Sequence, residues 1–203
     1  MATGVRHDAM GGNISFALSD CYAKAEALAR KVHSEARQIR ESYREKQGLS
    51  PDLNLDSIAG VPESGTSKWG ELTEEERLTE NAVAFAAFHS LLGEVLKEQQ
   101  DDLTPGDYQF HDALLSLLAK VEALAESTKQ LLLSLGYPLP RAGEEREEKG
   151  LPYFEKKKRG YKVMVELCGW ALRAVRGFSR LKRRNKKEEE GGKREVKKRG
   201  SRR

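Results

Sequence analysis

The spacing of its amphipathic segments is the feature that most restricts the fold of this 203-residue chain. Four such segments, each roughly 28–35 residues or about 40–50 Å of helix, are joined by a long link, a short link and a long link. Parallel neighbours in a bundle need a link that travels its whole length, whereas antiparallel neighbours need only a short turn. The pattern therefore predicts an all-α, left-handed four-helix bundle with up-up-down-down topology.

Apolar residues at spacings of three and four, with helix start and stop signals, set the predicted boundaries. We expect helices over about residues 13–47, 73–100, 107–135 and 152–184, which together form one domain over residues 1–184. Thr73 and Glu76 predict a capping box at the second helix, and Gly48 and Gly136 predict helix ends. On the fourth helix, the predicted core stripe consists of Tyr161, Val165, Cys168, Leu172 and Val175.

Charge separates the C-terminal segment from the rest of the chain. Residues 180–203 contain 13 lysines and arginines against 4 glutamates, so this segment carries +9 and the remainder of the chain carries −5. Because so polar a segment cannot bury a core, residues 185–203 are predicted to be a disordered basic tail. Three interpretations are open: a solvated tail, a segment that binds heparan-type glycans of the matrix, or a nuclear-localisation signal. The candidate polyanion-binding residues are Lys182, Arg183, Arg184, Lys186 and Lys187.

No pattern in the sequence indicates catalysis or a cofactor. The four histidines show no metal-ligand spacing, and no glycine-rich phosphate loop or nucleophile elbow is present. In the predicted topology Cys21 and Cys168 are separated by about 13 Å of helix rise, too far for a disulfide. We therefore expect two free thiols, no enzyme activity, no metal and no cofactor. The N-terminal residues show no signal-peptide pattern, and no apolar run is long enough for a membrane span.

Aromatic residues beside basic residues are the candidates for surface recognition. Trp170 lies opposite the predicted stripe of the fourth helix, where it is either covered by the first long link or exposed to a partner beside Arg173. Phe154 and Lys157 share the start of the same helix, either on a projecting tip or with Phe154 plugging the bundle end. Trp69, in the first long link, is expected to anchor that link by packing.

The first helix carries a basic flank with two open interpretations. It is either a solvated surface paired with acidic neighbours or a cationic patch for an acidic receptor. Its members fall within about 80° of one another on the helix. They are Arg30, His33, Arg37, Arg40 and Arg44.

Several short runs in the same order resemble the ciliary neurotrophic factor family, which belongs to the interleukin-six-type long-chain cytokines. They cover about residues 20–180 and include Trp69-Gly70-Glu71-Leu72-Thr73-Glu74, Glu76-Arg77-Leu78, Phe154-Glu155-Lys156-Lys157 and Trp170 with Arg173. The resemblance implies a neurotrophic cytokine that activates kinase-coupled receptors. It acts through a non-signalling alpha receptor, the leukaemia inhibitory factor receptor and the shared interleukin-six-type transducer.

The resemblance also implies which residues contact which receptor. Phe154 and Lys157 match the family's contact with the leukaemia inhibitory factor receptor. The alpha receptor is met by Arg30, His33, Trp69, Trp170 and Arg173. The shared transducer is expected on exposed faces of the first and third helices. Two positions depart from the family pattern, because His33 replaces an arginine and Ala171 replaces a threonine; both concern affinity for the alpha receptor.

A second function class remains open at this point. In it, the chain is an intracellular helical protein whose basic tail binds nucleic acid or another polyanion. For the cytokine, the absence of a signal-peptide pattern leads us to expect a cytoplasmic store and unconventional release to an extracellular site of action.

Overall fold

The computed structural model describes residues 8–55, 58, 60–65, 69–141 and 150–200. Its helices are α1 (Asp8–Gln47), α2 (Glu74–Glu98), α3 (Tyr108–Ser134) and α4 (Tyr153–Gly200), and α2 continues into a π-helical turn over Gln99–Leu103. Within these ranges all regular structure is helical. The predicted all-α class is confirmed.

Contacts between helix ends establish the order of the bundle. Tyr22, in the first half of α1, donates to Glu74 at the start of α2, at 2.6 Å. At the other end Gln47 donates to Gln99 at 2.9 Å, so α1 and α2 are parallel. Lys157 at the start of α4 donates to the carbonyl of Gln47 at the end of α1, and Lys182, farther along α4, pairs with Glu26 at 2.6 Å, so α4 is antiparallel to α1. Lys46 pairs with Asp107 at the start of α3, which makes α3 antiparallel to α1. The predicted up-up-down-down topology is confirmed.

Apolar residues at the three- and four-residue spacings of the first three helices form the core. On α1, Ala25, Val32, Ala36 and Tyr43 are fully buried, and Leu78, Phe85 and Leu92 are their counterparts on α2. The capping box is present, since Thr73 accepts from the Glu76 amide and Glu76 accepts from the Thr73 amide. Gly48 and Gly136 follow helices with φ of 62° and 74°, a conformation that glycine adopts without a Cβ penalty.

The predicted stripe of α4 is only partly correct: Cys168 and Val175 belong to the core and Tyr161 packs against it, but the stripe is not centred on the buried side. The side chains that are fully buried are Val163, Met164, Leu167, Ala171, Ala174 and Phe178. At 100° per residue their mean direction lies about 110° from the predicted stripe, and Leu172 is 36% exposed. The sequence pattern is ambiguous because α4 is apolar on two sides. One side carries the fully buried residues, and the other, with Tyr161 and Cys168, lies next to α1. The first long link covers a third side, which carries Glu166 and Trp170.

The C-terminal segment differs from the prediction as well. Helix α4 continues to Gly200, through most of the predicted disordered tail, while residues 201–203 lie outside the described residues. Lys, Arg and Glu are strong helix formers, and Arg184 Nε lies 3.4 Å from Glu188 Oε1 one turn away. Extending an existing helix needs no new nucleus, so a segment that buries no core can still be helical. The same reason applies to α1, which begins at Asp8 rather than at residue 13.

Candidate receptor-binding surfaces

The first long link is attached to α4 by polar contacts on one face. The Ser64 amide donates to Glu166 Oε2 at 2.6 Å, and Trp170 Nε1 donates to the Pro62 carbonyl at 3.2 Å. Burial raises the pKa of Glu166, but the bonds from Lys162 and the Ser64 amide outweigh it and hold that pKa below its ordinary value. Glu166 is therefore a charged acceptor that fixes the link to the helix.

A stacked cluster of two tryptophans and two arginines lies beside this attachment. The Trp69 and Trp170 rings meet edge to face with centroids 5.9 Å apart. The Arg173 guanidinium lies 4.7 Å from the Trp69 centroid and 5.0 Å from that of Trp170, and Arg77 lies 5.0 Å from Trp69 on another side. Arg77 also donates to the Trp69 carbonyl at 3.0 Å. Cation–π contacts of this kind favour a single position for the link.

The predicted alpha-receptor residues around the link differ in burial: some are nearly buried and one is accessible. Trp170 and Arg173 are only 6% and 8% exposed, so Trp170 is covered by the link and the interpretation of an exposed Trp170 is wrong. Trp69 is partly buried, and its predicted role as an anchor of the link is confirmed by the stacking. Ala171 is fully buried, so the departure from the family at this position affects the core rather than the surface.

The basic flank of α1 is largely paired with carboxylates. Arg30 contacts Glu26 at 2.6 Å and Arg40 contacts Glu41 at 2.5 Å, while Arg44 lies 3.5 Å from Glu41. Glu26 also binds Lys182, which fixes the register of α1 against α4. This register places residues 30 and 33 at the level of about residues 178 and 175 of α4. The structure thus places Arg30 and His33 at the same height of the bundle as the tryptophan–arginine cluster.

His33 gives a pH-dependent prediction. Burial, and then the positive charges of Arg37 and Arg40, lower the pKa of His33 below its ordinary value of 6.5. The folded protein therefore takes up this proton less readily than the unfolded chain, and stability falls as pH drops through the window below that value. We expect alpha-receptor affinity to be flat from about pH 7.5 to 6.5 and to rise only below it, as His33 gains a positive charge. A His33→Gln variant serves as control; a flat profile down to about pH 5.5, or the same profile in both proteins, contradicts the prediction.

The start of α4 forms a second candidate surface at the opposite end of the bundle from Trp69. Phe154 is 54% exposed and neighbouring Tyr153 is 55% exposed, so the interpretation of Phe154 as a plug of the bundle end is wrong. Lys157 Nζ lies 4.8 Å from the Tyr153 centroid and donates to the Gln47 carbonyl at 3.3 Å. A half-exposed aromatic pair beside an ordered lysine is typical of a protein-binding site.

Two anchors position this tip. Lys156 pairs with Asp102 in the π-helical turn, and Arg159 binds Glu94 at 2.7 Å and Glu98 at 2.8 Å. The sequence did not indicate these anchors, because they join positions more than fifty residues apart and the π-helical turn has no sequence signature. The first turn of α4 is therefore fixed to α2 although its aromatic side chains face solvent.

Chemistry other than recognition has little support in the described residues. Within them, no group of three or more His, Cys, Asp or Glu side chains is placed to hold a metal ion. None of the described helices combines the length and the apolar character that crossing a membrane requires. Cys21 and Cys168 are free thiols, as predicted, and burial raises the pKa of Cys168 to about 11.

Four long helices in up-up-down-down order, with aromatic and basic groups at the start and near the middle of α4, define a long-chain helical cytokine. The family model for ciliary neurotrophic factor matches residues 12–196. The chain belongs to the ciliary neurotrophic factor family.

Individual relatives support the same assignment. Human ciliary neurotrophic factor is 40% identical over 163 residues, covering 77% of this chain and 80% of the relative. The chicken protein is 34% identical over 147 residues, covering 71% and 75%. Mouse cardiotrophin-2 is more distant, at 27% identity over 176 residues, covering 81% and 84%. The chain is thus a signalling protein whose partners are cell-surface receptors.

Proposed function

We propose that this cytokine assembles three receptor subunits: a non-signalling alpha receptor, the leukaemia inhibitory factor receptor and the shared interleukin-six-type transducer. By holding the two signalling subunits together, it allows their associated kinases to phosphorylate the receptor chains. The proposal is supported above all by the exposed Phe154 beside the ordered Lys157 at the tip of α4. Neither side chain is needed to fill the core there, so a partner is the better explanation of this arrangement.

In the proposed assembly the tip of α4 contacts the leukaemia inhibitory factor receptor. The aromatic side chain supplies apolar area that is half-exposed in the free cytokine, and Lys157 supplies a charge held in place by the Gln47 carbonyl. Side chains that are ordered before binding lose little conformational entropy when the complex forms. This is the reason to expect a large effect from removing both.

The alpha receptor is proposed to bind at the other end of the bundle, where Trp69 is the accessible member of its cluster. Arg30 and His33 lie at the same height on α1 and are proposed to contact the same receptor. Trp170 and Arg173 support it mainly from beneath, since they are nearly buried. The shared transducer is proposed to contact exposed faces of α1 and α3.

The proposal is tested with a Phe154→Ala, Lys157→Ala double variant. We expect receptor phosphorylation to fall at least a hundredfold in potency, corresponding to a loss of roughly 3 kcal/mol or more at a binding hot spot. Helicity and alpha-receptor binding should be unchanged, because Phe154 is largely exposed and lies far from Trp69. The assay uses cells carrying both signalling receptors, with and without the alpha receptor.

The matched control is Val83→Ala with Lys97→Ala. It also removes one exposed apolar side chain and one exposed lysine, but on α2, to which no receptor is assigned. The control should signal normally. Normal potency of the α4 double variant, or equal losses in both variants, would remove the assignment of the α4 tip. If the unaltered protein signals equally without the alpha receptor, the proposed binding of that receptor at Trp69 is contradicted.

A further inference from the structure

The five basic residues predicted to bind polyanions do not lie on one surface. Lys182 pairs with Glu26 at 2.6 Å, and Arg184 pairs with Glu74 and lies 3.4 Å from Glu188. These two side chains are therefore neutralised by the bundle. Arg183 and Lys187 are exposed, and at 100° per residue they lie about 100° and 140° around the helix from Lys182. The basic run in the sequence is thus divided by the helix into paired and outward-facing charges.

The outward-facing charges belong to a longer line that begins earlier on α4. Arg176, Arg180, Arg183 and Lys187 are all exposed and follow one another at spacings of four, three and four. At 100° per residue they fall within an arc of about 60°, and they extend over about 16 Å of helix. We refer to these four residues as the basic stripe.

The basic stripe is not neutralised by its surroundings in the described part of the chain. None of its four side chains forms an ion pair with a described carboxylate. Arg180 donates to the Gly70 carbonyl at 3.2 Å, and Arg183 donates to the Ser179 hydroxyl at 3.0 Å. Such neutral acceptors order the guanidinium groups while leaving their charge available. The next acidic residue on the same line, Glu190, comes only after Lys187.

We propose that the basic stripe binds a sulfated glycan. Guanidinium groups match sulfate oxygens through paired N–H donors, and a straight line of four cations fits a linear polyanion. Nucleic acid is the less suitable partner. Between Arg176 and Lys187 the one aromatic residue, Phe178, is fully buried. Trp69 lies beside Gly177 and is partly buried, so it offers at most one ring, whereas single-stranded nucleic acid is bound by stacking successive bases on several rings. A cytokine of cell-surface receptors also acts where sulfated glycans are the abundant polyanions.

The test compares two double variants of the full chain for binding to heparin. Arg176→Gln with Arg183→Gln removes two charges from the stripe, whereas Lys182→Gln with Arg184→Gln removes two paired charges from the same helix. The stripe variant should bind on the order of tenfold more weakly. Its slope of log affinity against log salt should also fall by about two. The second variant should change both quantities much less.

Further arms keep the result interpretable if the paired-charge variant unfolds. Lys31→Gln with Lys97→Gln removes two exposed charges away from the stripe and should retain heparin affinity. Desulfated heparin should bind weakly to the unaltered protein. Equal losses in the stripe and off-stripe variants, no heparin binding at about 0.15 M salt, or tighter binding to a single-stranded oligonucleotide of equal charge would overturn the proposal. Because none of these measurements involves a receptor, they are independent of the proposed receptor assembly.

Discussion

Replacing Trp170 by alanine is expected to lower the free energy of unfolding by about 3–5 kcal/mol, the range for truncating a buried tryptophan. The indole is 6% exposed and contacts the Trp69 ring edge to face. It also donates to the Pro62 carbonyl, so the variant loses a tie between α4 and the first long link as well as packing. The measurement is denaturant unfolding followed by circular dichroism.

The same variant reports directly on the link. The chain has two tryptophans, so Trp69 becomes the single tryptophan when Trp170 is replaced. We expect its fluorescence emission to shift to longer wavelength, because Trp69 loses its edge-to-face partner and becomes more exposed. Unchanged stability with unchanged emission would show that the link is held in place without the indole.

Two further variants distinguish side chains that hold the link in place from side chains that contact the alpha receptor. Trp170→Phe keeps most of the packing but loses the bond to Pro62, for a cost of about 1 kcal/mol. Trp69→Ala should lower the free energy of unfolding less than Trp170→Ala does, since Trp69 is only partly buried. Relative to that loss of stability, however, Trp69→Ala should reduce the affinity for the alpha receptor more. If Trp170→Phe abolished receptor binding while the emission of Trp69 stayed native, Trp170 itself would be a contact.

The topology was predictable because it depends on link lengths and on strong helical periodicity. The stripes of α1, α2 and α3 each face a single core, so their three- and four-residue spacings identify the buried side directly. Helix α4 faces two layers, and its Trp170 therefore appeared on a helical wheel to point away from the core. The link that covers it is distant in sequence, and no local pattern shows where such a link will lie.

For the candidate surfaces, the sequence predicted which residues are involved but not which of them are exposed or what they contact. Aromatic and basic neighbours at helical spacing indicated Phe154 with Lys157 and Trp170 with Arg173. Whether each side chain is exposed depends on partners elsewhere, such as Gln47 for Lys157 and Pro62 for Trp170. Local spacing likewise could not reveal that Lys182 is paired while Arg183 is exposed, because the carboxylate that binds Lys182 lies on α1.

Glycine at position 160 is predicted to be essential for the packing of α1 against α4. A Cβ atom there would lie 2.1 Å from the Tyr43 hydroxyl oxygen and 2.7 Å from the ring carbon that carries it. Tyr43 is fully buried and stacks on Tyr161 with centroids 6.4 Å apart, so its ring has little freedom to move. We expect Gly160→Ala to destabilise the protein by about 3 kcal/mol, at the upper end of typical overpacking costs.

The Tyr43 hydroxyl makes this prediction testable as a pairwise interaction. It is fully buried and interacts with the Gln99 side chain without a hydrogen bond of good geometry, so Tyr43→Phe alone should be close to neutral. Removing the oxygen also removes the closest atom to the added methyl group, whereas the ring carbon remains close. The double variant should therefore recover about 1–2 kcal/mol of the loss. The measurement is denaturant unfolding of the two single variants and the double variant. If the two changes in unfolding free energy are strictly additive, the helices move apart at this point and the added methyl group does not collide with the hydroxyl.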